Sequence, residues 1–441
     1  MTSTTPPNDL SIRGSRSSTL WLATLGFFGG FAGVAIFGPL VPKFLVILHL
    51  VPWQAGVLAG IPNLTGSLLR IPFGAWVDRD GGRRPFLTLL LITIVGIAGL
   101  LALLHNAYPD HMAGLFPVLL LLGVCIGSGI ASFSVGIGQV SYWYPRNQQG
   151  GPLGIYAGLG NTAPGLSSWL LPLAVVSFGM LAAYGLWFVV LIIITIIYAF
   201  SVHDAPYFQL RRQGVAVDMR QLAAIGQDLI PTGSVLGGLR LAAQTPATWA
   251  LVYLYFVSFG GFLALTAWLP TFWHSMYATT LPEGGLLTLI FSLLTALVRV
   301  PGGLLSDRIS IRFALTGNLL LIGLGTLLVA TSHTFGVSLT GTILVAIGMG
   351  LQNAIVFKLL PHYIPHAVGG ASGWIGGLGA LNGFILPPLL GGVAGAVGAP
   401  MGYAQAFLAI TGLAVLGLLD IGWLTHWRWQ TVLERHGPWH A

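Results

Sequence analysis

The sequence predicts an all-α polytopic membrane protein, with twelve transmembrane helices in two pseudo-symmetric six-helix bundles. Of its 441 residues, 55% are hydrophobic and only 7% are charged, whereas a soluble domain carries about 25% charged residues. Apolar runs of about 20 residues, long enough to cross a hydrocarbon layer of about 30 Å, recur along the whole chain. Three sequence blocks of the first half also return, in the same order, in the second half.

These runs are read as helices because they are long and lack the alternation typical of a membrane β-strand. The sixty-two glycines favour the close helix contacts that small residues permit in lipid. The predicted spans are 19–44, 53–77, 86–105, 112–143, 152–176, 179–201, 248–275, 284–306, 313–331, 336–360, 370–396 and 402–424.

The basic residues indicate the orientation of the chain. Nearly all of them lie in alternate loops and in the two tails, and the opposite loops hold only Lys43. By the positive-inside rule, both termini are expected in the cytoplasm and the protein in the cell (inner) membrane. The formal charge of +7 is thereby explained, and it does not indicate binding to nucleic acid.

The halves of the chain look duplicated. RIPFGAWVDR (70–79) returns as RVPGGLLSDR (299–308), and FGGF (28–31) returns at 259–262. Glycines at 150, 151, 154, 158 and 160 have counterparts at 369, 370, 373, 377 and 379. We therefore predict a first bundle over 1–202, a cytoplasmic linker over 203–246 and a second bundle over 247–441. In parallel repeats of this kind the substrate site lies at the interface, near the bilayer midplane.

Charges well inside the spans are rare, and they are Arg70, Arg299 and Lys358, with Asp420 near the end of the last span. Arg70 precedes Asp78, where its span ends, by roughly 12 Å of helix, which places it near the midplane. Arg299 holds the matching position in the second repeat.

The two arginines point to an anion site. No carboxylate is predicted at their depth, so a structural ion pair is not available to them. Arginine stays protonated, and its planar fork matches planar oxyanions. The alternative is that the arginines cap exposed carbonyls near Pro72 and Pro301.

Other residues within the spans are also candidates for the site, each with an alternative role. Asn161 either donates to an anion or satisfies a helix carbonyl. Tyr255, taken alone, is expected to pack with a local hydrogen bond. Lys358 either lines the cavity or extends to the cytoplasmic face. The glycines at 150, 154 and 158 and at 369, 373 and 377 are expected first to form a helix-packing surface, and second to let the backbone approach a small substrate.

Several function classes are disfavoured. The single cysteine, Cys125, excludes an intramolecular disulfide, and no His/Cys cluster suggests a metal. No phosphate-binding or dinucleotide glycine pattern stands in a strand–helix context, so no cofactor is expected. No nucleophile–base pair lies within the spans, so we do not expect an enzyme. A channel is a further alternative.

The loop GAWVDRDGGRR (74–84) resembles the signature of the major facilitator superfamily, and a degenerate copy, GLLSDRISIR (303–312), stands in the second half. The residues that carry the resemblance are Gly74, Asp78, Arg79, Gly82, Arg83 and Arg84. This resemblance implies the major facilitator fold.

Within that superfamily the chain resembles the nitrate/nitrite porters over nearly its whole length. The resemblance rests on YPRNQQGGPLGIYAGLGN (144–161), GGASGWIGGLGALNG (369–383), the LRIP and VRVP stretches and YFVSFGGF (255–262). It implies that Arg70 and Arg299 bind substrate and that Tyr255 contacts it. It further implies that Phe133 and Phe259 bracket the anion and that Asn161 lies beside it.

The chain departs from the family pattern at three places. Thr-Ala-Pro-Gly follows Asn161, where the family is usually glycine-rich, Asn382 stands at a usual glycine, and Gln352-Asn353-Ala354 replaces a common Gly-Asn-Gly. Asn353 and Lys358 are candidates for the cavity or for coupling. We predict a monomeric transporter of nitrate and nitrite in the context of nitrate assimilation, working mainly as an antiporter. Nitrate–proton symport and transport of another small anion, such as a monocarboxylate, remain alternatives.

Overall fold

The computed structural model describes residues 12–214, 222, 227, 229–231, 235–305, 309–364 and 367–436, and this part of the chain is helical without a β-strand. The helices of the first half are α1 (Arg16–Phe31), α2 (Val41–Ile47), α3 (Pro52–Leu68), α4 (Arg70–Asp80), α5 (Arg83–Ala107), α6 (Phe116–Gly127), α7 (Ser132–Trp143), α8 (Gly150–Gly160), α9 (Ala163–Phe178) and α10 (Met180–Ser201). Those that follow are α11 (Pro206–Arg212), α12 (Val235–Ala243), α13 (Pro246–Tyr255), α14 (Gly261–Tyr277), α15 (Leu281–Leu305), α16 (Ile311–Thr331), α17 (Phe335–Tyr363), α18 (Val368–Leu378), α19 (Asn382–Val397), α20 (Met401–Gln405) and α21 (Leu408–His436).

Within the described ranges, ten helical stretches are long and apolar enough to cross a bilayer. The second and fifth predicted spans are the other two, and each is built from two shorter helices, α3 with α4 and α8 with α9. Every predicted span therefore coincides with a helix or with helices joined end to end. The predicted fold class is confirmed.

Both broken spans are interrupted just before a proline. The first helix pair separates at Leu69, three residues before Pro72, and the second separates at Asn161 and Thr162, just before Pro164. Proline lacks the N–H that would bond to the carbonyl four residues earlier, so the helix ladder is weakened at that turn. These breaks fall at the depth where Arg70 and Asn161 were predicted to act.

The two bundles touch closely at the end where α3 begins, which we call the far end. The opposite end carries the loop between α4 and α5, and we call it the motif end. A methyl group added at Gly56 would overlap the carbonyl oxygen of Pro387, and one at Gly391 would overlap that of Pro52. The pair α9 and α15 repeats this arrangement, because a methyl group at Gly285 would overlap the carbonyl oxygen of Ser168. Glycine thus brings backbone against backbone at the far end.

The motif end is more open. At Gly150, Gly151, Gly154 and Gly158 of α8, an added methyl group would meet no atom within 4 Å. The expectation that the α8 glycines form a packing surface is therefore wrong for this conformation. In α18 the expectation is partly met, because a methyl group at Gly377 would lie 2.9 Å from Ile71 of the first bundle.

The predicted linker, 203–246, contains the short helices α11 and α12. Residues 215–221, 223–226, 228 and 232–234 of this segment lie outside the described residues. The same holds for Asp307 and Arg308, which end the second copy of the loop motif. The limits of the three predicted domains stay predictions.

The glycine contacts give a first test. We expect Gly56→Ala to lower the melting temperature of the purified protein, because the new methyl group overlaps the backbone of the other bundle and overpacking typically costs about 1–3 kcal/mol. Gly154→Ala is the matched control. It adds the same methyl group to an exposed helix, where alanine is favoured over glycine by up to about 1 kcal/mol.

Thermal unfolding followed by tryptophan fluorescence in detergent measures both variants. A Gly56→Ala protein that melts as high as Gly154→Ala would contradict the assigned contact.

Candidate functional site

Arg70 is the first residue of α4, directly after the helix break, and it is 1% exposed. Its Nη1 donates a hydrogen bond of 3.0 Å to the carbonyl oxygen of Gly376, in α18 of the second bundle. Among the described residues its Nε and Nη2 have no hydrogen-bond partner. The one carbonyl that Arg70 caps thus belongs to the opposite bundle, and two of its donor atoms are left for a ligand.

The predicted arginines and phenylalanines come together at one place. The guanidinium carbon of Arg70 lies 5.0 Å from the ring centre of Phe133 and 5.1 Å from that of Phe259. The guanidinium carbon of Arg299 lies 5.6 Å from the same Phe259 ring. Each contact is a favourable cation–π interaction. Two cations from different bundles therefore meet around a single ring.

The two phenylalanine rings contact each other, with centres 6.1 Å apart and planes inclined by 30°. Phe133 belongs to the first bundle and Phe259 to the second. A flat ligand held between two parallel rings requires a spacing of about 7 Å, since each carbon contact takes about 3.5 Å. The two rings are therefore closer together here than a flat ligand between them would require.

Tyr255 ends α13 and is fully buried. Its ring stacks on Phe259 at 4.8 Å with an angle of 11°, and Phe357 meets it edge-on at 5.0 Å. The following residues, Phe256–Gly260, form a π-helical turn that carries Phe259. Such turns are rare and frequent at functional sites. The sequence contained no signal for this turn beyond the repeated FGGF.

The predicted polar residues Asn161, Asn353 and Lys358 each have different surroundings. Asn161 is buried, and its Nδ2 donates to the carbonyl oxygen of Ala157 at 2.6 Å, so in this structure it satisfies a helix carbonyl. Asn353, in α17, is also buried, and both atoms of its side-chain amide lack a partner among the described residues. Lys358, five residues further along α17, is half-buried. Whether these three side chains contact substrate stays a prediction.

Two aromatic residues near the site were missed by the sequence analysis. Phe27 of α1 packs against Phe133 at 5.4 Å and stacks on Tyr156 of α8 at 5.0 Å. The Tyr156 hydroxyl donates to the carbonyl oxygen of Ser132 at 2.7 Å, which fixes its ring. Tyr156 thus holds Phe27 in place, and Phe27 packs against Phe133. The available signal was one aromatic residue within the glycine-rich stretch GGPLGIYAGLG.

The site carries the positive charge of two arginines, and no carboxylate among the described residues pairs with either of them. In the described part of the chain, the ion pairs are Arg79–Asp80 and Arg212–Asp204, both at the motif end. Neither Arg70 nor Arg299 takes part in them. A low-dielectric site with two cations and no carboxylate in contact favours an anionic ligand, because burying like charges without a counter-ion is costly.

The predicted loop motif at the end of α4 is organised around one buried acid. The Oδ1 of Asp204 accepts from the backbone N–H of Arg83 at 2.8 Å, and its Oδ2 pairs with Arg212 at 2.7 Å. Gly81 has φ +86°, and a methyl group there would lie 2.5 Å from the same carboxylate. The loop is therefore fastened to α11, the first helix after the sixth span.

The other motif residues have simpler surroundings. Asp78 accepts a 2.7 Å hydrogen bond from the hydroxyl of Tyr142, and a methyl group at Gly82 would overlap Gln139. The side chains of Arg79 and Arg84 are exposed, and the nearest atom to a methyl group at Gly74 would be 3.8 Å away.

Comparison with known proteins gives one family over most of the chain. Residues 23–387 match the Major Facilitator Superfamily. The probable nitrate/nitrite antiporter NarK1 of Thermus thermophilus is 31% identical, over 96% of this chain and 93% of that protein. The nitrite extrusion protein of Bacillus subtilis is 26% identical, over 95% of this chain and 96% of its own.

Solved structures share the fold at low sequence identity. A bacterial homologue of the human lysosomal transporter Spinster, inward-facing and occupied, superposes with a TM-score of 0.70 at 15% identity, over 94% of this chain and 98% of that one. The xylose transporter XylE of E. coli, in a partially occluded inward-open conformation, gives 0.69 at 14% identity, over 96% and 98%. At such identities the likeness concerns the fold alone.

The motif-end contacts give a second test. We expect Asp204→Asn to lower the melting temperature, because the neutral amide no longer pairs with Arg212. Removing one partner of a fully buried pair costs about 3–5 kcal/mol. Since Arg212 is 39% exposed, a loss of about 1–2 kcal/mol is the expected scale. Asp110→Asn, at an exposed position, is the control, and equal melting temperatures for the two variants would refute the fastening role of Asp204.

Proposed function

The chain belongs to the nitrate/nitrite porter family of the major facilitator superfamily, and from that membership we propose that it carries nitrate and nitrite across the inner membrane by alternating access. The main mode is exchange of one anion for the other. The protein acts as a monomer and performs transport rather than catalysis. The observation that carries the proposal is the meeting of Arg70 and Arg299 at the Phe259 ring.

The two arginines fit a small planar oxyanion. The Nε and Nη2 of Arg70 point along one edge of its guanidinium and are unpartnered among the described residues, which is the pair of donors that a planar oxyanion accepts. Arg299 supplies the second fork from the other bundle. Because each bundle contributes one arginine, the anion draws the bundles together when it binds.

The aromatic residues set the size and shape of the site. Phe133 and Phe259 present apolar faces in contact with each other, and a thin, flat anion separates them less than a tetrahedral one. Tyr255 stacks on Phe259 and holds that ring in place. Asn161, Asn353 and Lys358 extend the polar lining of the cavity.

Alternating access follows from the packing of the bundles. The proposed orientation puts the motif end and both termini in the cytoplasm, because the basic residues concentrate in the loops of that end. The conformation described is then inward-facing, with its outer side sealed by the backbone contacts of Gly56, Gly285 and Gly391. The proposed units are the bundles 1–202 and 247–441, joined by the linker 203–246.

Exchange is favoured over symport by charge balance. A lone nitrate moving inward against an inside-negative potential costs about 2.3 kcal/mol per 100 mV. Symport driven by that potential needs two protons per nitrate, and proton carriers are normally buried Asp, Glu or His. At the depth of Arg70 the sequence has none of these, and Lys358 is the one candidate. Nitrate–nitrite exchange moves no net charge and needs no titrating group.

The arginine assignment gives the third test. We expect Arg70→Lys and Arg299→Lys each to lower the kcat/KM of nitrate–nitrite counterflow in proteoliposomes by about 10- to 100-fold. An ammonium group cannot reproduce the bidentate fork, and a charged hydrogen bond contributes about 1.5–3 kcal/mol. Arg13→Lys, at an exposed position, is the control and should behave as wild type.

Competition in the same assay tests the substrate class. Nitrite should displace nitrate, and acetate at the same concentration should not. Near-normal counterflow in either arginine variant would refute the anion clamp, and displacement by acetate alone would favour a monocarboxylate transporter.

The coupling assignment gives the fourth test. We expect rapid nitrate uptake into liposomes loaded with nitrite, slow uptake into unloaded ones, and no dependence on an imposed pH gradient. Lys358→Ala should retain exchange, and Lys43→Ala, which changes the only other lysine, is its control. Strong uptake into unloaded liposomes that follows the pH gradient and is lost in Lys358→Ala would establish proton symport instead.

A further inference from the structure

Buried polar side chains continue from the arginines toward the far end. Asn63 and Ser67 of α3 are both 0% exposed, and they precede Arg70 by seven and three residues. Asn63 and Ser67 are four residues apart and therefore share one face of α3. Leu69, at the break, keeps helical backbone angles (φ −69°, ψ −15°), so the chain continues helically to Arg70, and Asn63 lies about 10 Å from it along the axis, with Ser67 between them.

The second bundle repeats this arrangement. Ser292 of α15 precedes Arg299 by seven residues, as Asn63 precedes Arg70, and it is also 0% exposed. A methyl group added at Gly165 of α9 would lie 2.7 Å from the Cβ of Ser292. Each bundle thus directs a polar side chain at the other bundle, about two helical turns from its arginine toward the far end.

The hydrogen bonds of these residues are incomplete. Among the described residues, the hydroxyls of Ser67 and Ser292 and the Oδ1 of Asn63 have no partner. Their neighbours behave differently, because Thr288 and Thr295 of α15 each donate to the carbonyl four residues earlier at 2.8 Å. A buried polar group without a partner costs about 1–3 kcal/mol. Hydroxyls that served only helix packing would form the bonds that the threonines form.

Asn63 and Ser67 face the backbone of the second bundle at glycines of α18 and α19. The Nδ2 of Asn63 donates to the carbonyl oxygen of Gly383 in α19 at 3.2 Å. A methyl group at Gly383 would lie 3.0 Å from the Asn63 side chain, and one at Gly377 would lie 3.4 Å from the backbone oxygen of Ser67. When α3 and α19 part at the far end, the Asn63 amide is released from this carbonyl, and its N–H donors and the two hydroxyls face the opened path.

We propose that Asn63, Ser67 and Ser292 form an outer subsite that binds the planar oxyanion from the far side before it reaches Arg70 and Arg299. This rests on the proposed function. The subsite is neutral, so it binds the anion more weakly than the arginines and releases it inward. Binding strong enough to admit an ion but weak enough to let it leave is the general requirement along a transport path. Asn63 then returns to the carbonyl of Gly383 and closes the path.

The test is a comparison of the two sides. The KM of nitrate for exchange with nitrite is measured in right-side-out and in everted membrane vesicles carrying Asn63→Ala, Ser67→Ala or Ser292→Ala. Each variant should raise the KM from the far side by about three- to tenfold, the effect of one hydrogen bond, and leave the KM from the motif side within twofold. Asn63→Ser keeps a hydrogen-bond donor, so its far-side KM should stay close to that of the wild type.

Ser168→Ala is the matched control. Ser168 is buried at the same α9–α15 contact, but its hydroxyl already donates to the carbonyl oxygen of Pro164 at 2.9 Å. Its far-side KM should equal that of the wild type. If Asn63→Ala does not insert into the membrane, the test uses the far-side KM of Ser67→Ala, Ser292→Ala and Asn63→Ser instead.

Three results would overturn the subsite. They are an unchanged far-side KM in all the variants, equal increases on both sides, which indicate a structural disturbance, and a lowered far-side KM, which indicates that Asn63 only seals the path. The proposed function fails differently, because the wild type would then show no nitrate–nitrite exchange in either kind of vesicle.

Discussion

The structure depends on the burial of positive charge that no protein carboxylate neutralises within the described residues. Arg70 is 1% exposed and is held by two aromatic rings and one carbonyl oxygen, none of which carries a negative charge. A guanidinium tolerates this because it is weakly hydrated and favours aromatic faces. Its ring partners and its carbonyl partner come from both bundles, so the residue proposed to bind the anion also joins the two bundles.

This constraint explains why the helices are irregular where they meet. Breaks or tight turns occur at Leu69 and Asn161, at Ser128–Ala131 just before Phe133, and at Gly379–Leu381, while Phe256–Gly260 is π-helical. A regular helix bonds nearly all of its backbone groups internally, so its backbone offers little to a ligand and does not redirect a side chain. Irregular backbone in a membrane is tolerated where it is enclosed in protein, and here it surrounds the arginines.

The spans, and the burial of two arginines within them, were predictable from the sequence for a physical reason. Hydrophobic length determines a transmembrane helix almost by itself, and a lone charge in an apolar run, repeated as Arg70 and Arg299, stands out against it. The side-chain partners were not predictable, because they depend on the relative position of the bundles. The bond from Arg70 to Gly376 and the contact of Phe133 with Phe259 join residues more than a hundred positions apart. The role of the α8 glycines was misjudged for the same reason, since their packing depends on which end of the protein is open.

The same buried charge gives a physical reason for the proposed exchange. Both guanidinium carbons lie within 5.6 Å of the Phe259 ring centre, so they are at most about 11 Å apart, and two unit charges at that separation repel by about 1.5 kcal/mol at an effective dielectric constant of about 20. Closing both ends of the protein around them removes water and raises this repulsion. An anion between the arginines reverses its sign. The loaded protein therefore crosses the occluded state more readily than the unloaded one, and a carrier that switches only when loaded returns only with a second anion. The charge of the site thus supports the proposed exchange.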